Sequence, residues 1–323
     1  MRIHIQNAPS DAFAITETLL EEAAGRAGVT GLRPSFATDD AGFIRGMADA
    51  EALVTNPALV LGRFPVAAPA LQLIFFTAAG MDKVMPFDWL PPGVRVLNNS
   101  GAHGPKVGEF AAMALLMLSN RMPAYATQQR REVWQPHFMP ILKGRRLTVV
   151  GTGDLGAAAA RQARHFGMET TGVRTAAVPH PDFDHVVAVS ALDDVLPDSE
   201  FLFLACPLTA RTRGLLDRRR LELLPKGAGL LNIGRGPLLD QDALCDLLVA
   251  GHLSGAILDV TVPEPPPPGH RVWSTPNLVL TPHASADDPV SYNPDSLDLF
   301  FANLAALRAG AEMANEVDTA RGY

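Results

Sequence analysis

Cysteine is almost missing. Cys206 and Cys245 are the only two in 323 residues. They lack the spacing of metal ligands, and two lone thiols do not make a disulfide framework. Both stand in apolar stretches, which fits buried thiols in a reducing compartment. Positive charge is also short. Lys and Arg number 27 against 34 Asp and Glu, a formal net charge of −7, and the sequence pI is about 5.7. That excludes a global basic surface for nucleic acid or an anionic membrane. The one basic cluster, Arg218-Arg219-Arg220, falls in a short helical segment and reads as a solvated face. No apolar run has the length to cross a bilayer, and Phe110 to Leu118 is far too short. Met1-Arg2-Ile3-His4-Ile5 reads as a first strand and not as a signal peptide. No solenoid-type repeat occurs. The expectation is a cytoplasmic protein of ordinary globular composition, with a length that suits two domains.

What the chain does have is a glycine-rich turn in the right context. Leu147-Thr148-Val149-Val150 is a short apolar strand candidate, followed by Gly151-Thr152-Gly153-Asp154-Leu155-Gly156 and an alanine-rich helical segment, Ala157 to Phe166. This is the strand, G-x-G-x-x-G, helix order of a dinucleotide-binding unit. Gly151 permits the tight turn, Gly153 lets the backbone approach a pyrophosphate, and Gly156 lets helix and strand pack closely. The free N–H groups at the helix start then face the phosphates. A second strand candidate, Glu169 to Arg174, ends where the ribose-reading residue belongs. An acidic residue there would favour NAD. Arg174-Thr175 stands there instead, and a cation suits a 2′-phosphate. NADP is therefore the expected cofactor, with NAD possible. The bland alternative is an exposed arginine at a strand end.

Strand and helix signals alternate along the whole chain. Strands are expected at Arg2 to Gln6, Gly31 to Ala37, Ala52 to Thr55, Leu71 to Phe76 and Val94 to Leu97. Ser10-Asp11 can cap a helix that runs to Arg26, and a second helix lies near Asp39 to Met47. Leu71 to Phe76 is almost wholly apolar, as in a buried parallel strand. It ends in Thr77-Ala78-Ala79-Gly80, a small-residue turn that is either a plain turn or a set of backbone N–H groups open to an anion. A long apolar helix follows from Ala102, and Arg130 to Lys143 is irregular. After the nucleotide unit, strands are expected at Val186 to Val189, Phe201 to Cys206, Ala228 to Ile233, Gly255 to Val260 and Leu278 to Thr281. Helices are expected within Leu208 to Arg220, at Leu239 to Ala250 and at 291 to 308. The chain leaves the nucleotide sheet near His283, so the last helix has no strand to follow there and packs back on the first domain. The fold class is α/β, with two doubly wound parallel-sheet domains. Residues 99–284 form the inserted dinucleotide-binding domain, and residues 1–98 with 285–323 form the substrate-binding domain.

Three polar elements lie at the carboxyl ends of expected strands in the second unit, the ligand crevice of an open α/β sheet. Leu231-Asn232-Ile233-Gly234-Arg235-Gly236 holds an arginine between glycines, and a guanidinium fork suits a carboxylate. Leu258-Asp259-Val260 leads to Pro263-Glu264-Pro265, where flanking prolines restrict Glu264 to extended geometry. His283 follows directly on a strand in Thr281-Pro282-His283-Ala284-Ser285. A carboxylate beside an imidazole favours the imidazolium and fixes the ring tautomer. Such a histidine can protonate a carbonyl oxygen while a dihydronicotinamide gives hydride to the carbon. Taken singly, each has a bland reading: Arg235 a surface charge, Glu264 a loop residue, His283 a satisfied, partly buried histidine.

Together these segments resemble the D-isomer-specific 2-hydroxyacid dehydrogenase family, which includes glyoxylate/hydroxypyruvate reductases and other 2-ketoacid reductases. The likeness covers nearly the whole chain. It runs through Ala79-Gly80-Met81-Asp82, Val107-Gly108-Glu109, Leu142 to Gly156, Cys206-Pro207-Leu208-Thr209, Leu231 to Gly236, Leu258 to Pro265 and Thr281-Pro282-His283. It implies two Rossmann-like domains with the cofactor domain inserted, and a homodimer with the helix after residue 102 in its interface. It implies that Arg235 orients the substrate, that His283 is the general acid/base and that Glu264 is its partner. Backbone N–H groups at Ala79 and Gly80 would hold the substrate carboxylate. Gly153, Asp154 and Leu155 would line the pyrophosphate, Cys206, Pro207, Ile233 and Gly234 would line the rest of the cofactor, and Asp259 would bond the nicotinamide carboxamide. No metal is implied.

Some positions depart from the family. Arg174 replaces its more common acidic residue, as in NADP-using members. Asp154 stands where a basic residue is frequent, and a carboxylate beside a pyrophosphate is unfavourable unless it turns away or caps the helix. Gly108 stands where alanine is usual. A non-catalytic nucleotide sensor, like the related corepressors, is the rival on the same fold, and recruitment of partner peptides without turnover would distinguish it. A formate or phosphite dehydrogenase is disfavoured by Glu264, because formate chemistry needs no proton relay. The substrate side chain would be read by Thr55-Asn56-Pro57, by Ala78-Ala79 and by aromatics such as Trp134 or Phe138.

Overall fold

Two parallel sheets organise the computed structural model, which describes residues 1–9 and 12–321. Each belongs to its own compact unit, one built from residues 1–103 and 287–323, the other from 104–286. The expected boundaries were 98/99 and 284/285. The Asn98-Asn99-Ser100 turn stays with the first unit because Asn99 Nδ2 donates to Thr77 O (3.2 Å) and Ser296 Oγ (2.7 Å), and Asn315 Nδ2 donates to Ser100 O.

The first unit runs β1 (Arg2–Gln6), α1 (Glu17–Arg26), β2 (Arg33–Ala37), α2 (Asp40–Met47), β3 (Ala52–Thr55), β4 (Leu73–Phe76) and β5 (Arg95–Leu97). The strand order is β2-β1-β3-β4-β5, one of the two common doubly wound orders. All four residues of β4 are buried, as a strand covered on both faces requires. Alternation along the strands separates two cores. Ile3, Ile5, Val54 and Phe75 pack with α1 on one face, while Leu53, Ile74 and Phe76 pack with Phe43 and Met47 of α2 on the other. The expected cap at Ser10-Asp11 lies outside the described residues. Thr16 caps α1, its side chain accepting from Leu19 N (3.3 Å). Asp39 caps α2 through Gly42 N (2.6 Å).

The second unit runs α3 (Gly104–Ser119), α4 (Met122–Arg130), β6 (Arg146–Val150), α5 (Asp154–His165), β7 (Glu169–Arg174), β8 (His185–Ala188), α6 (Leu192–Val195), β9 (Phe201–Leu204), α7 (Arg218–Leu223), β10 (Gly229–Asn232), α8 (Gln241–Val249), β11 (Gly255–Leu258) and β12 (Leu278–Leu280). Its order is β12-β11-β10-β9-β6-β7-β8. The chain winds outward from β6 to β8, then returns to β9 on the other side of β6 and winds outward again. That reversal between β6 and β9 is the point where a doubly wound sheet opens a ligand crevice at its carboxyl ends. Phe201, Phe203, Leu231 and Ile257 face one core with α3 and α5. Leu202, Leu204, Leu230 and Leu258 face the other with α7 and α8.

α9 (Tyr292–Arg308) belongs to the first unit. Leu297, Phe300, Phe301 and Leu304 fill the α1 face of that sheet, and Arg26 pairs with Asp298 at 2.8 Å. Helix α4 is absent from the sequence reading. Arg121, at φ 57°, turns the chain through the left-handed region, and Pro123 falls in the first turn, where a proline costs no hydrogen bond. α5 begins at Asp154, directly after the second glycine of the turn and three residues ahead of the expected start. β9 stops at Leu204 instead of Cys206, because its partner β6 ends at Val150 and turns at Gly151.

Candidate active site

The site of the second unit is built where β6, β9, β10, β11 and β12 end. Gly151 has φ 101°, a conformation that favours glycine, and a Cβ on it would lie 2.6 Å from Cys206 N. Gly234 is equally confined, its added Cβ 2.9 Å from Cys206 O. Three expected cofactor residues, Gly151, Cys206 and Gly234, therefore form one floor. Ile233 is buried beside them, its N–H donating to Leu204 O (3.0 Å). Burial pushes the Cys206 thiol up to about 12, so it is inert as a nucleophile. The loop after Pro207 is closed by Thr212, whose hydroxyl donates to Pro207 O (2.7 Å) and whose oxygen accepts from Thr209 N (2.8 Å).

The three glycines of the turn differ in what surrounds them, and the difference says where a ligand fits. A Cβ on Gly156 would meet Gly151 O at 1.8 Å, whereas one on Gly153 meets nothing within 4 Å. Gly153 is the N-cap of α5 and no side chain caps that helix. The first N–H groups of α5, including those of Asp154 and Leu155, thus face open space, as a pyrophosphate requires. Asp154 turns aside. Its Oδ1 lies 2.7 Å from a Cβ built on Gly104, at the start of α3, where a helix N-terminus favours negative charge. Arg174 and Thr175 are exposed at the end of β7, and Arg174 makes no ion pair among the described residues. These residues fit a dinucleotide. Replacing Gly156 by alanine is expected to cost about 3 kcal/mol or more by overpacking against backbone. Calorimetry should show a lower thermal midpoint, and fluorescence titration weaker cofactor binding.

His283 and Glu264, expected as a pair, are in contact. His283 Nδ1 and Glu264 Oε1 are 2.6 Å apart, with the side chains 43% and 40% exposed. With Nδ1 committed to Glu264, Nε2 is the nitrogen left to exchange a proton with a ligand. His283 has φ 53°, in the left-handed region that costs a β-carbon residue roughly 1 kcal/mol or more. Asp259 holds it there. The Asp259 carbonyl accepts from His283 N (2.9 Å), its Oδ1 accepts from Thr281 Oγ1 (2.6 Å) and Ala284 N (2.9 Å), and its Oδ2 accepts from Ser285 N (3.1 Å). Asp259 is 1% exposed. Three of its four acceptor sites serve the His283 turn.

Arg235 follows β10 with an extended backbone. Asn232 braces its turn, donating from Nδ2 to Arg235 O (3.0 Å) and accepting Gly234 N at Oδ1 (3.1 Å). Arg235 Nη1 donates to Gly234 O (2.8 Å). Neither Asn232 nor Thr281 carries a role in the sequence reading. Both are polar, fully or partly buried at a strand end, and that was the available signal.

In the first unit, Ala79 and Gly80 lie just past β4. The carbonyls of Thr77, Ala78 and Ala79 are taken by Asn99 and Asn98. The N–H groups of Ala79 and Gly80 make no hydrogen bond among the described residues. Trp134 is 100% exposed and Phe138 is 92% exposed.

Known proteins are similar to this chain in sequence and fold. The model of the D-isomer specific 2-hydroxyacid dehydrogenase, NAD binding domain, matches residues 112–285. A glyoxylate reductase of Korarchaeum cryptofilum is 34% identical over 229 residues, covering 68% of each chain. The crystal structure of a D-isomer specific 2-hydroxyacid dehydrogenase family protein from Aeromonas salmonicida superposes with a TM-score of 0.82 at 29% identity, over 98% of this chain and 99% of that one. A D-isomer specific 2-hydroxyacid dehydrogenase of Xanthobacter autotrophicus, solved in complex with NADPH and MES, superposes with a TM-score of 0.80 at 26% identity, over 99% of this chain and 100% of that one.

Proposed function

The chain belongs to the D-isomer-specific 2-hydroxyacid dehydrogenase family, and on that premise we propose that it is an NADPH-preferring reductase of 2-oxo acids, working as a cytoplasmic homodimer. The substrates proposed are glyoxylate, reduced to the achiral glycolate, or hydroxypyruvate or a larger 2-oxo acid, reduced to the D-2-hydroxy acid. The observation that carries the reading is the 2.6 Å pairing of His283 Nδ1 with Glu264, on the sheet edge that also bears Arg235.

Each residue has a defined task. Arg235 binds the substrate carboxylate and polarises the carbonyl, and the N–H groups of Ala79 and Gly80 take the carboxylate oxygens. His283 gives its Nε2 proton to the carbonyl oxygen as that oxygen becomes a hydroxyl, and Glu264 stabilises the imidazolium that gives it. The dihydronicotinamide, when bound, supplies hydride to the carbonyl carbon. Gly153, Asp154 and Leu155 hold the pyrophosphate, while Cys206, Pro207, Ile233 and Gly234 line the cofactor. Asp259 orients the carboxamide with its remaining acceptor. Arg174 and Thr175 read the 2′-phosphate. Their exposure without an ion-pair partner supports this, as does NADPH in the Xanthobacter relative. Exposed apolar side chains in α3, α4 and the following segment, among them Met113, Leu116, Met122, Trp134, Phe138 and Ile141, support a face covered by a second copy.

Chiral analysis of the product from hydroxypyruvate or a larger 2-oxo acid tests the reading, which requires the D-hydroxy acid. An L product would sink it. Cofactor choice is tested by Arg174→Asp. The variant should lose roughly a hundredfold in kcat/KM for NADPH, by replacing a charge-assisted pair with a repulsion, and should gain with NADH. Unchanged preference would remove Arg174 from that role.

A further inference from the structure

Glu264 meets His283 from a loop that burial does not fix. Val262, Pro263, Glu264 and Pro265 are all exposed, so beyond the local restriction by the two prolines it is hydrogen bonds that place the loop. One side chain outside the site supplies two of them. Gln241, the first residue of α8, is 8% exposed. Its Nε2 donates to Val262 O (2.7 Å), and its Oε1 accepts from Val262 N (3.0 Å). Two opposed bonds to one residue fix both the distance and the orientation of the loop backbone, as pairing between two strands does.

The anchor itself is rigid. Asp240 caps α8, accepting Ala243 N at 2.9 Å, and its own N–H donates to Leu216 O at 2.8 Å. Beyond Val262 the loop closes on itself. Thr261 N donates to Glu264 Oε2 (3.3 Å) and Thr261 Oγ1 donates to Pro263 O (2.9 Å). Beneath it lies Gly236, the residue after Arg235, where a Cβ would come within 2.1 Å of Thr261 O. The loop is thus pressed on the Arg235 turn from below and held by Gln241 from α8.

We propose that Gln241 is a positioning residue for proton transfer, setting through the Val262 backbone the place at which Glu264 meets His283. The inference rests on the reductase reading. Gln241 touches no reacting atom, and its effect passes wholly through Glu264.

A double-mutant cycle tests this in the full-length protein with NADPH and a 2-oxo acid. Methionine keeps the length and apolar bulk of Gln241, and water can bond the exposed loop in its place, so Gln241→Met should fold. In the wild-type background kcat should fall about tenfold, with KM for the acid and Kd for NADPH within about twofold, since a small misplacement acts on the chemical step. In a Glu264→Gln background the same change should alter kcat by less than about twofold, the non-additivity of two residues acting as one unit. Gln241→Glu keeps the acceptor and loses the donor. It should give the same non-additive pattern, and it serves if Gln241→Met is unstable. Equal losses in both backgrounds, or no loss in either variant, would overturn the proposal. Absence of wild-type turnover would instead sink the reductase reading, so the two failures are distinct.

Discussion

His283→Ala is expected to cut reductive turnover about a thousandfold while NADPH still binds. Positioned general acids contribute roughly 10²–10⁴ in rate, and His283 is held for the task from two sides. Glu264 takes Nδ1 at 2.6 Å, and the Asp259 carboxylate secures the turn through Thr281, Ala284 and Ser285. The glycines proposed to bind the cofactor lie on a different turn, between β6 and α5, and do not depend on the imidazole. Stopped-flow or steady-state rates, with fluorescence titration of NADPH, check both halves. The wild type has a pH signature of the same origin. Reduction consumes the imidazolium proton, so its rate should fall as pH rises. Oxidation needs the neutral ring, so its rate should fall as pH drops. Matching profiles in the two directions would remove His283 as the proton carrier.

Arg235→Lys is expected to lower kcat/KM for the 2-oxo acid by about two orders of magnitude, and Arg235→Ala by more. A planar fork can hold a carboxylate at two points, whereas an ammonium offers a point charge on a flexible stem. The loss of a buried charge pair costs roughly 2–5 kcal/mol, which is the scale of that drop. Both kcat and KM should move, because in the proposed mechanism the same guanidinium binds the acid and polarises its carbonyl. The backbone should not move, since Asn232 holds the turn through the Arg235 carbonyl and Gly234 N–H, independent of the side chain. Steady-state kinetics with a thermal midpoint for each variant separates the two. A Lys variant with wild-type kcat/KM would place substrate recognition elsewhere.

Much of this was legible because the decisive signals are local. Gly151, Gly153 and Gly156 sit between an apolar strand and an alanine-rich helix, and that order alone implies the turn. The buried runs of β4 and β9 announce parallel strands because both of their faces are covered. Arg235, Glu264 and His283 each follow a strand end, where chain direction in a parallel sheet collects functional groups. Less legible was whatever depends on partners far away in sequence. The bonds from Thr281 and Ser285 to Asp259 span more than twenty residues, as does the Gln241 clamp on Val262. Asp154 seemed an obstacle to a pyrophosphate, since no local signal says that it turns toward Gly104, fifty residues earlier. Helix α4 escaped notice because its start depends on a left-handed Arg121, a residue with no intrinsic preference for that region.

The most direct measurement is the initial rate of NADPH oxidation with glyoxylate, hydroxypyruvate, pyruvate and phenylpyruvate, each repeated with NADH. Turnover with at least one acid and a clear preference for NADPH is the predicted result. NADH preferred would leave a reductase but contradict the role given to Arg174. No turnover with any acid, while NADPH binds, would contradict the enzymatic reading itself and point to a nucleotide-sensing protein on this fold.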